Sequence, residues 1–159
     1  MAFRLDKYDS DKFTEGEWEQ IQIGQDSGWF KLARFGNPTH KAAERRIFKE
    51  LRRRYGNEDS IPEEEVDEAN ARAFAEGVLR DWQQVTAEDE HGNEVNVSFS
   101  LENAVQLLLG RPDAHAHMLG TSKRMDRFER EEAETQAKKP ATTSSSAKTG
   151  KATTSSSGE

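Results

Sequence analysis

Cysteine is absent from the 159-residue chain. Disulfides, thiolate zinc sites and cysteine nucleophiles are therefore excluded before any motif is considered. Long apolar runs are missing as well: no stretch approaches the ~20 residues of a membrane span. The N-terminal MAFRLDKYDSDKF has charges where a signal peptide needs an apolar core, so the chain is expected to be soluble and to stay where it is made. Only 33% of residues are hydrophobic and another 33% are charged, which implies a modest core, a heavily solvated surface and little room for an enclosed active site. No Gly-rich phosphate loop, nucleophile elbow or zinc-ligand spacing occurs. No catalytic residue, metal ligand or cofactor is assigned, and the chain is read as a non-enzyme.

Positive charge is scarce in the body of the chain. The formal net charge is −7, and because four Lys face one Glu after Gln136, residues 1–136 carry −10. Such a body repels nucleic acid and anionic membranes at long range. The exception is AERRIFKELRRR, where Arg45, Arg46, Lys49, Arg52, Arg53 and Arg54 surround an apolar stripe. A nucleic-acid patch is the sharper reading of that cluster. Glu44 and Glu50 within it, and the acidic segment that follows, favour a solvated or internally paired face, so neither nucleic acid nor a membrane is an expected partner.

The element pattern predicts a mainly α, α+β domain: an N-terminal β-hairpin followed by about four helices. Residues 1–16 are read as a flexible N-terminus, 17–136 as the folded domain and 137–159 as a disordered tail. In that tail ATTSSS occurs twice and no side chain can bury appreciable apolar area. In EWEQIQIGQDSGWFKLARF, two runs flank the turn cluster GQDSG, and Ile21 and Ile23 alternate with Gln20 and Gln22. One face of this hairpin is expected to be buried and the other wet. Asn37 before Pro38 reads as an N-cap and first turn, opening a helix whose stripe is Ala43, Ile47, Leu51 and Tyr55, ended by Gly56. Ser60 with Glu63 reads as a capping box for a second helix carrying Val66, Ala69, Ala73, Phe74, Val78, Leu79 and Trp82. Ser100 caps a short third helix, and a fourth from about Asp113 carries Met118, Thr121, Met125 and Phe128 on one side.

Two metal readings fail on spacing. Asp89 and Gly92 stand like the third ligand and the glycine of an EF-hand, but Ala87, His91 and Ser98 occupy its first, fifth and twelfth positions. His115 and His117 are two apart, and helical residues two apart do not converge on one ion.

The stretches KLARFGNPTHKAA and VLRDWQQVTAEDEHGNEVNVSFSLENAVQLL resemble the tail assembly chaperones of long-tailed bacteriophages. Leu32, Ala33, Arg34, Asn37 and Pro38 match the first element of that pattern. Asp81, Trp82, Glu90, Gly92, Ser100, Glu102, Asn103 and Ala104 match the later ones, in which a helix ends in Asp-Trp and a loop leads to the next helix. The resemblance covers roughly residues 17–130, with Gln83, Gln84 and Leu101 as departures. It implies a protein that acts in the host cytoplasm, keeps the tape-measure protein soluble, brings the major tail-tube protein to it, and is absent from the mature virion. Homo-oligomerisation is left open. The alternatives are a structural head or tail connector that persists in the particle, and a small DNA-binding regulator using the Arg-rich helix. Leu107, Leu108, Met118, Met125 and Phe128, late in a highly charged domain, are the candidate partner-binding residues. Methionine suits such a surface because its flexible side chain adapts to different partners, and the competing reading is that these five complete the core.

Overall fold

A computed structural model describes residues 1–131, so the predicted tail at 137–159 lies outside the described residues. The order is α1 (Ser10–Glu15), β1 (Glu17–Ile23), β2 (Asp26–Leu32), α2 (Pro38–Tyr55), α3 (Glu63–Gly77), β3 (Leu79–Gln83), β4 (Thr86–Glu88), β5 (Glu94–Asn96), α4 (Leu101–Gly110) and α5 (Pro112–Ser122), with 3-10 turns at Glu58–Ser60 and Met125–Phe128. This is an α+β fold with the expected N-terminal hairpin. Helix α1 forms where no element was predicted. The Asp9 carboxylate accepts from the backbone N–H groups of Asp11 and Lys12, and Phe13 packs edge-on against Phe128 with ring centroids 5.5 Å apart.

The hairpin closes tightly, because Ile23 pairs with Asp26 and leaves only Gly24 and Gln25 between the strands. Gly24 has φ 62, the positive value that such two-residue connections demand. Alternation then sends Ile21, Phe30 and Leu32 inward, where all three are buried.

The second predicted helix is shorter than its apolar spacing suggested. It ends at Gly77, and Leu79–Gln83 instead pairs antiparallel with β2 to complete a sheet of order β1-β2-β3. Asp81 and Trp82 therefore lie on a strand, not at a helix end. Val78, Leu79 and Trp82 fit a three-to-four spacing, yet a register shift opposite Lys31 and Leu32 brings both Leu79 and Trp82 to the buried side. The free edge of β2 decides between the two, since its backbone groups need partners. The capping box is corrected as well. Ser60 sits in a 3-10 turn whose cap is the Asn57 side chain, and Pro62 precedes α3 without a side-chain cap, leaving Glu63, Glu64 and Glu65 to meet the helix dipole.

Asn37 caps α2 as expected, accepting from the N–H groups of Thr39 at 2.9 Å and His40 at 3.1 Å. Its amide also donates to the carbonyls of Arg34 at 2.7 Å and Gly77 at 2.8 Å, which ties the start of α2 to the end of α3. A Cβ on Gly77 would lie 2.3 Å from the His40 Cα, so the two helices approach too closely there for any other residue. Beyond β3, Asp89 organises its own loop. Its Oδ1 accepts from the N–H groups of His91 and Asn93, both at 2.9 Å, and so shapes the turn of the small β4–β5 hairpin. Ser100 caps α4 by accepting from Asn103 N–H at 3.1 Å.

The main core joins the inner face of the sheet to α3, α4 and α5 through Ile21, Phe30, Leu32, Phe74, Leu79, Trp82, Leu108 and Met118. A second, smaller cluster of Leu51, Ile61 and Ala69 lies between α2 and α3. Residues 9–128 form one unit, and among the described residues 1–8 and 129–131 belong to another. Within the latter, Tyr8 bridges Glu129 and Arg130 N–H donates to the Lys7 carbonyl at 3.0 Å.

Candidate partner-binding cleft

The five residues expected to meet a partner divide sharply. Leu108, Met118 and Phe128 are 0–1% exposed and are core side chains, so they offer no surface. The predicted fourth helix stops at Ser122, and Met125–Phe128 forms a 3-10 turn that folds back. What holds it is Arg127, whose side chain is 4% exposed and 3.2 Å from Glu19. Its guanidinium also donates to the Glu17 carbonyl at 2.9 Å. Burial pulls this guanidinium below its usual value against the opposing pull of Glu19. Met125 is half-buried, and its Sδ accepts from Arg34 Nε at 3.0 Å.

Leu107 is the residue of the five that lines a cavity. It faces a cleft of about 530 Å³ together with Ile21, Ile23, Phe30, Val85 and Ala114. The rim is polar: Asp26, Gln84, Thr86, Glu94, Asn96 and Arg111. Arg111 donates through two nitrogens to Asp113 at 3.1 Å and through a third to Asp26 at 3.0 Å, pinning the hairpin tip to the α4–α5 junction. Its charge is thereby cancelled, and the rim keeps an acidic excess. Gln84 has φ 67, an uncommon value for a residue with a side chain, and the strain it stores turns the chain out of β3 at the mouth of the cleft. An apolar floor under hydrogen-bonding groups can bury apolar side chains of a polypeptide while orienting its backbone.

The basic patch on α2 is largely spoken for. Arg46 pairs with Glu76 at 2.6 Å, Arg53 with Glu50 at 2.5 Å, Arg54 with Glu65 at 3.2 Å and Arg52, more loosely, with Glu58 at 3.9 Å. Arg45 and Lys49 face solvent. A groove of about 580 Å³ between α2 and α3 is walled by Arg46, Arg54 and Arg72, but Arg72 too is engaged, by Glu102 at 3.0 Å. Three guanidinia already neutralised by carboxylates do not make an anion site.

Sequence reasoning passed over the outer side of the sheet, where Trp18 and Trp29 are 39% and 38% exposed. The signal was present, because both have the opposite parity to Ile21 and Phe30.

Taken together, the described residues define a small α+β domain with a cleft lined by both apolar and polar side chains. Residues 35–139 match the family described as YdaY prophage protein; that span is well over half of the chain, so the chain belongs to this family and is phage-derived. The span runs from just before α2 and omits the β1–β2 hairpin. No curated protein and no solved structure matches the chain.

Proposed function

We propose that this phage-derived protein is a tail assembly chaperone, which binds and solubilises the tape-measure protein and recruits tail-tube subunits during virion assembly. The observation that carries the reading is the cleft at Leu107, where Ile21, Ile23, Phe30, Val85 and Leu107 offer apolar side chains in a prophage protein that is 33% charged. Such a cleft suits transient shielding of apolar side chains of another protein, and the acidic body keeps the complex in solution. The protein performs no chemical step, acts in the host cytoplasm and leaves before the virion matures. The DNA-binding alternative draws less support, because four of the six cations in its patch already have carboxylate partners.

Co-expression with the tape-measure protein from the same prophage tests this. The partner should be soluble with the wild-type chain and should aggregate with Leu107→Asp, provided circular dichroism shows the variant folded. A partner that is equally soluble alone overturns the chaperone reading, and a folded Leu107→Asp with full activity removes the cleft from it.

A further inference from the structure

The outer face of the three-stranded sheet stands apart from the rest of the surface. Trp18, Gln20 and Gln22 of β1 share it with Trp29 of β2 and Gln83 of β3, as the cross-strand register shows: Gln20 opposes Trp29, and Trp29 opposes Gln83. Its charges are few: Lys31 and Asp81 oppose each other across β2 and β3, and Arg80, at the register shift, donates to the Glu76 carbonyl at 3.0 Å. In a chain that is 33% charged, this is a sparsely charged patch with two indoles. Trp18 and Trp29 lie diagonally across the strand pair, within reach of one ligand.

The size and the polar groups of the patch select its occupant. Strands of seven, seven and five residues, about 4.8 Å apart with about 3.4 Å per residue, outline roughly 300 Å², less than half of the ~800 Å² per partner in a stable association. A second copy stacked face to face would be held too weakly. Nor does a helix fit. Desolvating the three glutamine amides and two indole N–H groups without supplying acceptors is costly, and a helix spends its carbonyls internally. An extended polyproline II segment has no internal hydrogen bonds, so its carbonyls are free to accept from these donors. Its proline rings present flat apolar faces to the indoles, and the segment brings no N–H groups that need partners of their own.

We infer that this face binds a neutral, proline-rich extended segment of a partner protein, with Trp18 and Trp29 as the stacking residues and Gln20, Gln22 and Gln83 as donors. The surface is distinct from the cleft at Leu107, and the inference does not rest on the chaperone reading.

Titration of the full ¹⁵N-labelled chain with N-acetyl-decaproline amide tests it. Trp82 is an internal control, since its indole N–H donates to the Val97 carbonyl at 2.8 Å inside the fold. The indole N–H resonances of Trp18 and Trp29 should shift saturably while that of Trp82 stays. Trp29→Ala should weaken binding at least tenfold, and Gln83→Ala, which keeps both indoles, severalfold. The proposal is overturned if millimolar decaproline moves neither resonance. It is equally overturned if an alanine-rich helical peptide binds as tightly, or if the two resonances move with protein concentration alone, which would mark a second copy as the occupant.

Discussion

The two clusters of buried side chains are built on opposite terms. The main core has a sealed centre: Phe74, Leu79, Leu108 and Met118 are 0–1% exposed, and the rings of Phe30, Trp82 and Phe99 meet edge to face at 6.4 Å and 5.1 Å, while Ile21 and Phe30 border the cleft. The cluster of Leu51, Ile61 and Ala69 has no such centre: its three members are 4–8% exposed and its neighbours Ile47, Phe48, Tyr55 and Val66 are only partly buried. Its flank is held by ion pairs such as Arg46–Glu76 and Arg54–Glu65. A closed core converts lost volume into lost stability, whereas a thin one lets water and neighbours refill the gap.

The largest effect that would sharpen this contrast is Phe74→Ala, which should lower unfolding free energy by about 3–5 kcal/mol in urea denaturation. Leu51→Ala removes a smaller side chain, 6% exposed, from the thin cluster and should cost about 2 kcal/mol, near the low end for such truncations. Equal losses at the two positions would break the comparison.

A smaller effect comes from pH. His40 lies in the α2–α3 joint, 2% exposed, where its Nδ1 accepts from Gly36 N–H at 3.0 Å. Burial holds its pKa below the ordinary value and outweighs the pull of Glu44, whose Oε2 is 3.9 Å away. His115, whose ring meets that of Phe74 edge-on at 4.9 Å, is lowered by burial too. Both imidazoles fold neutral, so the unfolded chain takes up protons first as pH falls through about 6.5. Stability should therefore be level above that pH, decline as pH drops below it, and level off again once the folded-state values are passed. Thermal melts from pH 7.5 to 5 should show the decline, and His40→Asn, which keeps an acceptor for Gly36 but does not titrate, should flatten it. An unchanged slope in that variant would assign the pH dependence to other groups.

The smallest expected effect is Arg46→Ala. Its side chain is 62% exposed, and exposed pairs contribute about 0.2–1 kcal/mol. A loss above ~2 kcal/mol in urea denaturation would show that the charged flank, rather than Leu51 and its neighbours, holds the thin cluster together.

The candidate site was legible only in part. Leu107 reached the cleft because its helix, capped by Ser100, has a mixed face that spacing reveals. That Leu108, Met118 and Phe128 are sealed could not be read from spacing, because what covers Phe128 is decided by Arg127 reaching Glu19, 108 residues away along the chain. The Ile21 and Phe30 side of the cleft arrives from a separate hairpin.

What the amino-acid order determined by itself was local: the Gly24 turn, the Asn37 and Ser100 caps, the stop at Gly56 and the amphipathic stripe of α2. Each depends on hydrogen bonds and dihedral preferences within a few residues. Tertiary structure alone decided that Leu79–Gln83 is a strand, that Arg46 and Arg54 pair with carboxylates of α3, and that the indole of Trp82 lies inside. Those outcomes depend on an unpaired sheet edge, carboxylates on another helix and a register shift between strands. No short window of residues contains those partners, so apolar spacing that fits two periods stays ambiguous until the chain has folded.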